Sequence, residues 1–86
     1  MKRVYKYDID VLDNFVLELP EDAQILTVQM QYGSPVIWAL IDDDKPLKER
    51  KFRLAGTGHP IEENVKYIGT FQLMDGALVF HLFEVI

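Results

Sequence analysis

The sequence predicts an all-β protein, a small antiparallel β-sandwich or open barrel of six to seven strands with at most one short helical turn. Three observations carry this. Apolar residues recur at every second position through most of the chain, the period of a strand with one buried face. Proline, Gly-Ser and Asp-Gly groups punctuate that pattern at short intervals, as turns between strands do. No window of a dozen residues holds the i, i+3, i+4, i+7 spacing of an amphipathic helix.

Phe15-Val16-Leu17-Glu18-Leu19 places Phe15, Leu17 and Leu19 on one face of a first clear strand, and Pro20-Glu21-Asp22 ends it because proline cannot donate to a ladder. Ile25 to Tyr32 follows, with Leu26, Val28, Met30 and Tyr32 on one face and Thr27, Gln29 and Gln31 on the other. Gly33-Ser34 reads as a two-residue hairpin loop, with glycine first as in a type II′ turn. Pro35 to Ile41 is the return strand. Asp42-Asp43-Asp44-Lys45-Pro46 reads as a solvated loop, and the one helical turn the chain allows falls at Pro46 to Glu49. Arg50 to Ala55 is a strand with Phe52 and Leu54 opposite Lys51 and Arg53. After the break at 56–64, Val65 to Leu73 resumes with Tyr67, Phe71 and Leu73 on one face. Met74-Asp75-Gly76 holds an Asp-Gly turn, and Ala77 to Val85 closes the chain.

Two strands carry apolar residues on both faces: Val36-Ile37-Trp38-Ala39-Leu40-Ile41 and Ala77-Leu78-Val79-Phe80-His81-Leu82-Phe83. A small sandwich has one interior, so the second face needs cover, either from a loop or the N-terminal strand, or from another subunit. A short chain builds a small core. This favours a homo-oligomer, with Val36, Ile37, Trp38, Ile41, Val79, His81 and Phe83 as candidate interface residues.

The 86 residues make one domain, 1–86, and at 49% hydrophobic content the chain is too apolar for a disordered tail. No apolar run reaches the roughly 20 residues that span a bilayer, and Met1 to Asp8 has no apolar segment like that of a signal peptide. The chain has no cysteine, which removes disulfides, thiolate metal sites and a thiol nucleophile. An intracellular setting is the natural expectation. Nine basic against fourteen acidic side chains give a net charge of −5, opposite to what a duplex-binding surface needs. The basic residues cluster in Lys2-Arg3 and Lys48 to Arg53, enough for one small anion but more simply a solvated strand edge.

Catalytic vocabulary is sparse. His59 and His81 are the two histidines, and two separated histidines without a third ligand predict no zinc site. His81 alternates with Val79 and Phe83 and reads as a hydrogen-bonded strand histidine; Glu84 points to the opposite face. Ser34 is the single serine and sits in a turn, so no hydrolase triad is indicated. Asp42 to Asp44 lacks the spaced ligands, glycine and distal glutamate of an EF-hand, so no calcium site is predicted either. No cofactor is expected.

One stretch stands out: Gly56-Thr57-Gly58-His59-Pro60. Gly-x-Gly allows positive-φ backbone whose N–H groups converge on a phosphate or carboxylate. It lacks the third glycine and helix of a dinucleotide site, and the Gly-Lys-Ser/Thr of a P-loop. Pro60 stiffens His59 into an extended conformation. With Arg53 and Arg50 on the preceding strand to supply charge, these residues form the candidate ligand-binding set. A tight bend that only needs its glycines is the competing reading.

The blocks "KRVYKYDI", "ILTVQMQYGSPVIWALID", "AGTGHPI" and "YIGTFQLMDGALVFHLFE" resemble a family of short phage and prophage proteins classed as a domain of unknown function. The resemblance covers nearly the whole chain and includes Trp38, Gly56 to Pro60, Gly69, Thr70, Phe71 and His81; residues 42 to 50 match nothing. It implies a small accessory protein of a tailed bacteriophage, made inside the bacterial host, and brings no enzyme activity or cofactor to carry over; the expected setting is the cytoplasm of that host. The expected function is a non-enzymatic binding or interaction module acting on a host protein or a small anionic ligand. One form is an oligomeric sponge for a nucleotide-like signal of host defence. A virion or assembly component is the alternative, and an enzyme the least favoured class because a nucleophile–base–acid set is missing.

Overall fold

The computed structural model describes residues 1–86. Seven strands run in chain order: β1 (Lys2–Asp8), β2 (Asn14–Pro20), β3 (Gln24–Gln31), β4 (Ser34–Asp42), β5 (Leu47–Gly56), β6 (Val65–Leu73) and β7 (Leu78–Val85). One 3₁₀ turn, Met74–Gly76, joins the last two. The strands form two antiparallel sheets, a three-stranded sheet ordered β1-β4-β3 and a four-stranded sheet ordered β2-β5-β7-β6. The sheets pack face to face as a sandwich and do not close into a barrel.

The alternating pattern explains the interior. Ile37, Ala39 and Ile41 of β4 meet Phe52, Leu54, Leu82 and Phe71 from the other sheet, with Leu19 and Val28 alongside. Phe15 and Phe52, directly opposite each other on β2 and β5, stack at 5.3 Å. Each fully buried residue of this size contributes about 1.5–3 kcal/mol by leaving water.

Three local expectations are corrected. The helical turn at Pro46 to Glu49 is instead the start of β5, because Leu47 pairs with Pro20 and Lys48 with Leu19; ladder bonds to β2 outweigh a weak local preference. The β3–β4 hairpin turns on Tyr32-Gly33, since Gln31 pairs with Ser34. Both loop residues have positive φ, 51° and 78°, the signature of a type I′ turn rather than II′. Finally, Leu26 does not share a face with Val28. A β-bulge between Ile25 and Thr27 shifts the register, so Ile25 packs against the core and Leu26 turns to solvent.

A second bulge, between Tyr67 and Gly69, lies in β6, the strand that packs across the sandwich from β3. Gly69 marks a close approach: a Cβ there would lie 2.8 Å from Cγ1 of Val28. The two sheets approach this closely only because position 69 has no side chain.

Both two-faced strands are interior strands of their sheets, β4 between β1 and β3, and β7 between β5 and β6. β1 lies beside β4, and on the outer face of β4 Val36 is buried while Trp38 and Leu40 are half-buried. The four-stranded sheet does acquire a cover. β5 and β6 are both antiparallel to β7, so residues 57–64 must return from one end of the sheet to the other. Arg53 ties this connection down over β5: its Nη2 donates to Pro60 O at 3.2 Å and its Nε to the Glu62 carboxylate at 3.1 Å. Its Nη1 donates to Asp13 O at 3.2 Å and to Leu54 O. Ala55, on the same outer face, is buried beneath it.

The Gly69–Val28 contact yields a stability prediction. Gly69→Ala is expected to lower the unfolding free energy in a urea titration by about 1–3 kcal/mol, the usual cost of forcing an extra carbon into a packed site. Combining it with Val28→Ala should cost less than the two single changes added together, since the second removes the methyl that the first strikes.

Candidate functional site

The 56–60 segment is a tight turn built from its glycines. His59 N–H donates to Gly56 O at 3.1 Å, and Gly58, third in the turn, has φ +87°, as a type II turn requires. The His59 ring folds back over Gly56: a Cβ at 56 would lie 3.1 Å from His59 Cε1 and 3.2 Å from Nδ1. Beside this turn lies an open cleft of about 320 Å³ bounded by Thr57, His59, Leu78, Val79 and Phe80.

The two arginines expected beside the loop have different settings. Arg53 is there, but its guanidinium is engaged by Glu62 and by the Pro60, Asp13 and Leu54 carbonyls. Arg50 is elsewhere. It lies six residues back along β5, where its Nη2 donates to Glu84 at 2.9 Å and its Nη1 to Ala23 O at 2.8 Å. Of the residues expected at an interface, Val36, Ile37 and Ile41 are buried within the chain. Trp38 is half-buried on the outer face of the three-stranded sheet; Val79, His81 and Phe83 are half-buried on the outer face of the four-stranded one.

A polar row surrounds His81 on that second face. Thr57 Oγ1 lies 2.8 Å from His81 Nε2, Thr70 Oγ1 lies 2.9 Å from His81 Nδ1, and Tyr67 Oη lies 2.7 Å from Thr70 Oγ1. The Tyr67 ring also meets Phe83 edge-on at 5.6 Å. Neutral imidazole accepts at one nitrogen and donates at the other, so Thr57 can donate to Nε2 while Nδ1–H donates to Thr70, or the reverse. Either way both nitrogens are satisfied and the ring is fixed edge-on between two strands and a turn. Thr70 and Tyr67 were absent from the sequence-based set for a geometric reason. Three positions apart, they face opposite sides of a regular strand. The β6 bulge adds one residue between them and turns both outward, Tyr67 opposite Phe83 and Thr70 opposite His81.

A second polar cluster sits at the far end of the three-stranded sheet. Asp42, Asp43 and Asp44 offer carboxylate oxygens within 4.8 Å of one another. The Met1 ammonium donates to all three, at 3.1, 3.0 and 2.9 Å, and Arg3 bonds Asp43. The hydrogen bonds it donates to Asp44, Asp43 and Asp42 push the Met1 ammonium up to about 11. The backbone N–H of Asp44 and the ammonium hold Asp42 below the usual carboxylate range, and Arg3 with the ammonium does the same for Asp43. The sign follows for each. The depressed aspartates stabilise the fold above the ordinary aspartate pKa of about 3.9, and this is lost as pH falls through their folded values. The raised ammonium stabilises fully below 8.0, and this is lost as pH rises toward about 11. Asp43→Asn is therefore expected to flatten the acid limb of a plot of melting temperature against pH while leaving the four-stranded sheet untouched.

Fold and site together define a small antiparallel β-sandwich that carries a fixed hydroxyl–imidazole row on one outer face. The chain belongs to the family described as "Domain of unknown function (DUF7352)", whose match spans residues 1–86. No curated protein and no solved structure matches it.

Proposed function

We propose that this chain is a non-enzymatic binding module of a bacteriophage that engages a host component in the cytoplasm of the infected bacterium. The reading puts recognition on the outer face of the four-stranded sheet, around His81. Its bacteriophage setting rests on the sequence blocks that resemble phage and prophage proteins. Its binding site rests on one observation: Thr57, Thr70, Tyr67 and His81 present hydrogen-bonding groups on strands and a braced turn, beside exposed apolar surface. Groups held on rigid elements meet a partner with little ordering cost.

The same geometry favours holding over turnover. Thr57 and His81 are within the reach of a nucleophile and base, but the group behind the imidazole is the neutral Thr70 hydroxyl. A carboxylate in that position stabilises the imidazolium that proton abstraction creates; a hydroxyl dipole gives far less. For an anionic, nucleotide-like ligand, Arg53 supplies little free charge because Glu62 already neutralises it. Recognition in this reading depends on the hydroxyl–imidazole row.

The test uses the tagged chain expressed in a host bacterium and recovered under native conditions. Host proteins retained on it, and small molecules released by denaturation, are identified by mass spectrometry. A species kept by the wild type and weakened about threefold to tenfold by His81→Ala or Thr70→Val is expected, the effect of one or two neutral hydrogen bonds. Melting temperature should change little. Retention unaffected by both changes removes this face from recognition, and finding the chain in purified phage particles makes it an assembly component. Activated esters such as p-nitrophenyl acetate should hydrolyse no faster with wild type than with His81→Ala; a His81-dependent rate would establish turnover.

A further inference from the structure

The sandwich has four edge strands, and β1 differs from the other three. β3 and β6 are bulged and pack across from each other, and β2 ends in Pro20. Bulges and prolines are devices that block edge pairing. β1 has neither, pairs by its backbone with β4 alone, and has every residue but Tyr7 exposed.

The ladder shows which backbone groups β1 leaves unpaired. Asp43 N–H donates to Met1 O and Ile9 N–H to Pro35 O, which fixes the odd-numbered residues as those bonded to β4. Arg3, Tyr5 and Tyr7 share this phase, opposite Ile41, Ala39 and Ile37. In an antiparallel ladder the bonded residues alternate with unbonded ones. Lys2, Val4, Lys6 and Asp8 therefore aim their N–H and C=O groups away from β4, toward solvent.

We propose that β1 pairs antiparallel with β1 of a second copy, about a two-fold axis through Tyr5, joining the two three-stranded sheets into one continuous sheet. The residue order chooses the register. Only even residues can exchange hydrogen bonds, so the strand can be centred on Val4, on Tyr5 or on Lys6. Centring on Val4 sets Lys2 against Lys6 of the partner, and centring on Lys6 sets the two Lys6 residues together; like charges directly opposite are unfavourable. Centring on Tyr5 alone uses the full strand. It opposes Lys2 to Asp8 at both ends, Val4 to Lys6, and Tyr5 to its own copy. Lys2 and Asp8 make no ion pair within the chain, and Tyr5 is 45% exposed. This strand is complementary to itself, which makes a second copy its matching partner in a chain of net charge −5. The inference is independent of the reading of the His81 face.

Val4 is the position to vary, since it is 55% exposed, its N–H faces outward, and it opposes Lys6 of the partner in this register. Sedimentation equilibrium over micromolar concentrations measures the dimer constant, with melting temperature as the control for folding. Val4→Glu should make a dimer tighter than Val4→Lys by about 2- to 30-fold, from two symmetry-related cross-strand pairs. Net charge alone gives the opposite order, because the Glu variant is the more acidic. Centring on Val4 gives no such gain, since like then meets like in both variants. Val4→Pro should abolish the dimer at unchanged melting temperature. A monomer at all concentrations, an equal or reversed order of Glu and Lys, or a dimer that survives Val4→Pro overturns the proposal.

Discussion

The close approach of Gly69 to Val28 is the contact on which most of this structure depends. It lies where β3 packs across from β6, at a point where a Cβ on residue 69 would lie 2.8 Å from Val28 Cγ1. Next to Gly69 is the β6 bulge, and the two features act together. The missing side chain lets the sheets close, while the extra residue reverses the facing of the strand before it. Phe71 points inward and is buried, whereas Thr70 and Tyr67 both point outward. A regular β6 would separate these two hydroxyls onto opposite faces, and the row around His81 would lose its far end. Core packing and the candidate site are thus set by one local irregularity.

The apolar second faces of β4 and β7 find different solutions. Over the four-stranded sheet the 57–64 connection returns along β5, held by a single guanidinium that bonds a carboxylate and three carbonyls. That use of Arg53 explains why a cation beside a glycine-rich loop is not automatically a ligand clamp: Glu62 arrives from the same loop to neutralise it. Over the three-stranded sheet the outer face of β4 is closed at one end only: Val36 is buried, Lys6 reaches across to Gln31 Oε1 at 2.7 Å, and Trp38 and Leu40 are half-buried.

Much of the fold was legible because period two is a direct consequence of strand geometry. Phe15, Leu17 and Leu19 point inward as the alternation requires, and so do Phe52 and Leu54. The two misread facings share one cause. Leu26 and Tyr67 both lie at bulges, and a bulge depends on the partner strand, so it leaves no mark in the local pattern. Leu47 to Glu49 becomes strand for a related reason: a polar stretch with weak preference is recruited by the β2 ladder. At the candidate site, His81 was legible as a hydrogen-bonded strand residue, but its partners come from 11 and 24 positions away. Only the assembled sheet brings them together.

The glycine-rich turn now divides into parts with separate causes. Gly56 makes room for the His59 ring, Gly58 supplies the left-handed turn position, and Pro60 offers its carbonyl to Arg53. These three are accounted for by the turn and its brace. Thr57 is different: its hydroxyl leaves the turn and meets His81 on the outer face of the sheet. The proposed pairing through β1 would have a consequence for that face. A two-fold axis perpendicular to the joined sheet keeps each layer on its own side, so both copies of the His81 row look out from the same side of the assembly. A dimer of this kind is bivalent toward any target that repeats, and the second contact forms at the effective concentration set by a rigid sheet rather than by free diffusion. In the proposed reading, weak individual contacts, each a hydrogen bond or two between exposed hydroxyls and a partner, would then suffice for stable retention.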